Sequence, residues 1–128
     1  MVKSVDRTKA FGYITKAEKS LRVAKFALGD EAYDAAIMNA VHSAINALDA
    51  LTTSSVGKRS SGSHTEVLSL LKGILPSKEY VEIEKQFKPL LGLKNASEYQ
   101  PVFMTVKDAQ NSICYFCQTR ANQNSLTS

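Results

Sequence analysis

Asn39, His42, Asn46 and Asp49 follow one another at intervals of three, four and three residues. At about 3.6 residues per turn, that spacing stacks them in a single stripe along a helix. An imidazole and a carboxylate are groups that accept and release protons, and amides flanking them could hold a polar ligand. The stripe lies about 140° around the helix from the apolar row Ile37, Val41, Ile45 and Leu48. Between Ala35 and Thr52 the only formally charged residue is Asp49. Solvent-facing helix surfaces are usually built from Lys and Glu, so this face is expected to be covered, by another helix or by a second copy of the chain. Buried polar groups left unpaired cost about 1–3 kcal/mol each. Three readings follow: a polar seam satisfied inside a dimer interface, a cleft lined for a polar ligand, or a plain solvent face.

A second cluster follows in Gly57–Ser63, sequence GKRSSGS. Lys58, Arg59, Ser60 and then His64 lead into a helix start, where free backbone N–H groups and the positive end of the helix dipole favour an anion. A surface turn is the alternative. The loop is not a phosphate-binding P-loop, because no lysine follows its second glycine and no strand is expected before it.

Other chemistries find less support. The candidate proton-transfer groups are His42, His64 and Asp49. Glu-x-x-His pairs of the kind that hold two metals in helical bundles do not occur, so no metal or other cofactor is expected. Ser, His and Asp are all available for a triad, but the chain has no nucleophile-elbow signature. Cys114 and Cys117 form a lone C-x-x-C without the βαβ context of a redox motif or two further zinc ligands, and are expected to pack on a helix.

These residues need helices to position them. From about Val5 to Leu28, the residues Phe11, Ile14, Ala17, Leu21, Ala24 and Leu28 recur every three or four positions as one buried face, with Lys9, Lys16 and Lys19 opposite. Gly29 is expected to close that helix and Asp30 to cap the next. The second helix should run from about Glu31 to Thr53, rich in alanine and closely approached by its neighbours. Ser63 and Glu66 form a capping box for a short third helix carrying Val67, Leu68, Leu70, Leu71 and Ile74. A fourth carries Tyr80, Ile83, Phe87, Leu90 and Leu91, with Pro89 expected to kink or end it near Phe87. Gly92–Phe103 reads as a polar connection. The last helix opens at Thr105 with Asp108 as its capping partner, burying Val106, Ala109, Ile113, Phe116 and Cys117, and a polar tail from about residue 121 is expected to fray.

No segment alternates like a strand, so the expectation is an all-α, up-and-down bundle of four to five helices in one domain over 1–128. The 128 residues suffice for one core, and 44% hydrophobic with 22% charged residues is ordinary globular composition. A net charge of +4 is compatible with an anionic partner. Apolar stretches are too short for a membrane span and no secretory signal is evident, so a cytoplasmic location without membrane contact is expected.

The segment Tyr33–Leu51 (YDAAIMNAVHSAINALDAL) resembles the second helix of HEPN domains (higher eukaryotes and prokaryotes nucleotide-binding). Gly57–Leu71 is similar to the loop and third helix of a prokaryotic branch of that family, and Leu93–Tyr99 with the helix after Thr105 resembles its closing segment. The resemblance covers about Ala17 to Arg120. It implies a helical bundle, often homodimeric, with a cleft between copies. Members include ribonuclease toxins, partners of minimal nucleotidyltransferases, and non-catalytic modules thought to bind nucleotides or RNA. The ribonucleases use an Arg followed a few residues later by a His. Here Asn39 and Asn46 align with those positions in some relatives, and asparagine does not shuttle protons near neutral pH. Arg59 and His64 have an acceptable spacing but straddle a loop.

The reading is therefore a dimeric HEPN-like module binding nucleotide, RNA or a nucleotidyltransferase partner, in a toxin–antitoxin type of system. Asn39, His42, Asn46 and Asp49 would line the seam, while Lys58, Arg59, Ser60 and His64 would meet an anion. A metal-independent ribonuclease is the first alternative and a protein-binding adaptor the second.

Overall fold

The computed structural model describes residues 3–60, 64–99 and 104–113, without the side chains of 64, 65 and 97–99. A short strand, β1 (Lys3–Ser4), and a 3-10 turn (Arg7–Lys9) precede α1 (Ala10–Gly29). There follow α2 (Tyr33–Val56), β2 (Lys58–Arg59), α3 (His64–Ile74) and α4 (Ser77–Tyr99). A fifth helical segment, α5, covers 106–113. The expected all-α bundle is what the chain forms.

Helix α2 is the axis of this bundle and touches α1, α3, α4 and β2. Ile37, Val41, Ala44 and Leu48 are fully buried, and Val67, Leu71, Ile83, Phe87 and Leu90 bring α3 and α4 onto them. The α1–α2 contact is the most extensive. Alanines at 17, 24 and 27 on α1 and at 36, 40, 44 and 47 on α2 are buried, and slim side chains let helix backbones approach closely. At that distance the hydroxyl of buried Ser43 donates across to the carbonyl of Ala17.

The turn between α1 and α2 differs from expectation. Gly29 remains helical, and the left-handed residue is Glu31 with φ 61°. Its N–H donates to Leu28 at 3.2 Å and that of Ala32 to Ala27 at 2.9 Å, the paired bonds of a Schellman cap. Ala32, not Asp30, is the N-cap of α2.

Four further expectations are corrected. Phe11 is 76% exposed instead of buried, because it lies about 120° from the centre of the Ala17–Leu21–Ala24 row. Pro89 neither ends nor interrupts α4, which continues to Tyr99 through most of the expected polar connection. Pro89 and Lys85 are both exposed, so the Lys85 carbonyl that loses its helical donor can be hydrated, while Phe87 and Leu90 stay buried beside it. Val106 is 44% exposed, and Ala109 and Ser112 take the buried positions of α5. The first helix, expected from about Val5, opens only at Ala10, and a 3-10 turn at Arg7–Lys9 precedes it.

The capping pair of α5 is present in full: Thr105 N–H donates to Asp108 at 3.0 Å and Asp108 N–H to Thr105 Oγ1 at 3.1 Å. Ser63, Phe116, both cysteines and the tail from about residue 121 lie outside the described residues.

The cap between α1 and α2 carries a prediction. Replacing Glu31 by glycine should raise stability by about 1 kcal/mol, the scale of strain on a left-handed L-residue. It would be read as a higher urea midpoint at unchanged slope. A midpoint that stays put or falls would show that the turn is unstrained.

Candidate anion-binding site

The polar stripe on α2 divides into two parts. Asn39 and Asn46 are half-buried, and each donates from Nδ2 to the carbonyl four residues earlier, Ala35 and His42 respectively, at 2.9 Å. His42 between them is exposed, and its ring makes no hydrogen bond among the described residues. The covered face expected from composition is therefore only half covered within the single chain. Asn39 stands about 15 Å along the helix from Asp49, so the four residues do not share one site.

Asp49 is different. It is 6% exposed, and Ser60, at 3%, closes over it. Ser60 Oγ donates to Asp49 Oδ1 at 3.3 Å, and the Ser60 backbone N–H dipole also favours the charged carboxylate. Arg59 adds a favourable charge interaction with Asp49, and its guanidinium donates to the Ser60 carbonyl at 3.1 Å. Three residues singled out from sequence, Asp49, Arg59 and Ser60, are thus brought together. Lys58 is adjacent and exposed. His64 begins α3, but its side chain lies outside the described residues, as do 61–63.

Local structure explains how the loop reaches Asp49. Gly57 ends α2 in the left-handed conformation at φ 66°, and its N–H donates to Thr53 at 2.9 Å. Glycine suits that conformation at little steric cost. The chain then pairs antiparallel with β1, Lys3 opposite Arg59 and Ser4 opposite Lys58. Val5 N–H donates to the Gly57 carbonyl at 2.7 Å. A Cβ on Gly57 would sit 3.2 Å from the Val5 carbonyl oxygen and 3.7 Å from the Arg7 side chain, so the glycine also admits the N-terminal segment. Asp6 caps the turn beyond, accepting from Thr8 N–H at 3.0 Å and from its hydroxyl at 2.9 Å.

The N-terminal part of this assembly was not singled out from the sequence. Lys3, Ser4, Val5 and Arg7 meet the loop across more than fifty positions of chain, and a two-residue strand carries no alternation to read. Arg7 falls in what looked like helical register.

Burial raises the Asp49 carboxyl above the ordinary 3.8, and the Ser60 bonds and Arg59 only partly offset it. A raised folded-state value means that the native protein binds its proton first, so stability should fall as pH rises from 3.8 through the folded value. Asp49→Asn should therefore flatten this part of the stability–pH profile while keeping an acceptor for Ser60. Asp49→Ala should cost about 1–3 kcal/mol at neutral pH by leaving the Ser60 hydroxyl unpaired. Denaturant titrations across the acid range would check both. A profile for Asp49→Asn as steep as that of the wild type would contradict the burial account.

Among the described residues no group of three or more His, Cys, Asp and Glu could hold a metal ion, and no helix is long and apolar enough to cross a membrane. What the site offers is fixed positive charge beside a buried, occupied carboxylate. No curated protein and no solved structure matches the chain. A family model described as the HEPN domain matches residues 12–116, most of its length, including α2, the basic loop and α3. On that match the chain belongs to the HEPN family.

Proposed function

We propose that this HEPN chain is a dimeric binding module that takes nucleotide or RNA at its basic loop. The observation that carries the reading is the anchoring of Lys58–Arg59: Ser60, the next residue, is 3% exposed and its hydroxyl is bonded to buried Asp49. Cations held in place lose less freedom on meeting phosphate than those on a loose turn. Family membership supports the same ligand class, and the chain's net charge of +4 agrees in sign.

Self-association is supported by surface that the single chain leaves uncovered. Phe11 and Phe26 are each 76% exposed and Val23 49% along α1, and Met38, Asn39, Ile45 and Asn46 are half-buried on α2. Exposed apolar residues grouped on one element are common at interfaces. The family resemblance favours a minimal nucleotidyltransferase as protein partner, in the manner of a toxin–antitoxin pair, and a cytoplasmic setting follows from that reading.

Binding is favoured over ribonuclease action because Asp49 is engaged by Ser60 and His42 stands about 10 Å from it along α2. The test is fluorescence anisotropy with a labelled single-stranded oligoribonucleotide, alongside light scattering for oligomeric state. Wild type should bind as a dimer, and Lys58→Ala with Arg59→Ala should weaken binding about tenfold or more, about 1.4 kcal/mol. Equal binding by the double variant would remove the basic loop from the reading. RNA cleavage lost on changing His42 or His64 to alanine would replace it with the ribonuclease.

A further inference from the structure

We propose that the N-terminal strand completes the anion site, so that Lys3 and Arg7 join Arg59 in gripping successive phosphates of a nucleic-acid backbone. The inference rests on the binding function proposed above and adds residues and a ligand form to it.

The pairing itself points to an anion. Lys3 and Arg59 are directly opposed in a two-stranded ribbon, where like charges facing one another destabilise the pair. Such a ribbon is marginal by itself, and this one has two residues in each strand. Yet the register keeps Lys3 and Arg59 on one face of the ribbon, with Lys58 on the other. The bond from Val5 to Gly57 and the Arg7 side chain against Gly57 hold Arg7 alongside. Asp49 offsets Arg59 only in part, through charge at a distance, and neither nearby carboxylate forms an ion pair at contact distance with these cations. Asp6 is taken up by Thr8, and Asp49 is buried beneath Ser60. Among the described residues none of Lys3, Arg7, Lys58 and Arg59 forms an ion pair at contact distance. An anion lying over the ribbon would relieve the repulsion.

The spread of the charges selects a ligand with several phosphates. Lys3 and Arg7 are four residues apart on chain that is partly extended, roughly 10 Å at the rise of a strand. A backbone running along the Lys3–Arg59 face of the ribbon passes Lys3, Arg59 and Arg7 in turn, which a single phosphate does not.

The salt dependence of oligouridylate binding tests this, using wild type, Lys3→Gln with Arg7→Gln, the charge-conserving Lys3→Arg with Arg7→Lys, and Lys78→Gln with Lys85→Gln on exposed α4 positions as a net-charge control. Thermal melts establish that each variant is folded. The Gln pair should reduce the slope of log affinity against log salt by about 1.4, at about 0.7 per phosphate contact on a single strand. The charge-conserving pair should retain the wild-type slope, and the α4 pair should leave it unchanged. A wild-type slope in the Lys3/Arg7 Gln pair overturns the inference while leaving the basic-loop reading standing, and an equal loss in the α4 pair overturns it as bulk charge. Inorganic pyrophosphate separates the two claims. Stabilisation by pyrophosphate that needs Lys3 and Arg7, without any oligouridylate binding, supports the anion site and sinks the nucleic-acid function. No response to either probe overturns both.

Discussion

A carboxylate withdrawn from water must be given hydrogen bonds, and in this bundle that requirement falls on Asp49. Helix α2 is covered by other helices along most of its length, but near its C-terminal end the chain covers itself. The hydroxyl that donates to Asp49 comes from Ser60, the residue that follows β2. For Ser60 to arrive there, α2 must stop at Gly57 and the chain must turn at once, which the left-handed glycine permits. Lys58 and Arg59 are then carried along the surface beside the buried acid, and the N-terminal segment finds an edge to pair with. The position of the positive charge is a consequence of where one negative charge was buried.

This arrangement separates polar groups that looked alike in sequence. The two asparagines satisfy themselves within their own helix turn and stay available from one side. The histidine faces solvent. Only the aspartate is part of a network, and its partners hold a loop in place. Such a division suits recognition by charge, with the cations presented by a loop tied to the bundle instead of a proton passed along a stripe. It also gives the N-terminus, outside the matched HEPN region, a place beside the basic loop.

The helices were legible because their signals are local and periodic. The Ala17–Leu21–Ala24 row, the Ile37–Val41–Leu48 row and the Thr105–Asp108 cap all appear where spacing put them. Local rules failed where distant contacts decide. Pro89 was expected to kink or end α4 near Phe87. The helix runs on to Tyr99 because buried Phe87 and Leu90 hold both sides of it against the core while its own face is exposed. Phe11 and Val106 have the three- or four-residue spacing of their rows but stand at the ends of them. There the angle from the centre of the buried face is large enough to leave each exposed. In the site, Asp49, Arg59 and Ser60 could be suspected individually, but the bond between them spans eleven residues and a turn. The contribution of Lys3 and Arg7 was invisible, since pairing between chain segments so far apart leaves no trace in either one.

Amide hydrogen exchange at Val5 and Ser60 tests most directly whether Asp49 anchors the ribbon. The Val5 N–H is bonded to Gly57, and Ser60 is 3% exposed against the buried carboxylate. Both should be protected in the wild type, and in Asp49→Ala both should lose that protection together while core amides of α2 such as Ala44 keep theirs. Val5 remaining as protected in Asp49→Ala as in the wild type would show that the ribbon holds without the aspartate, contrary to this account.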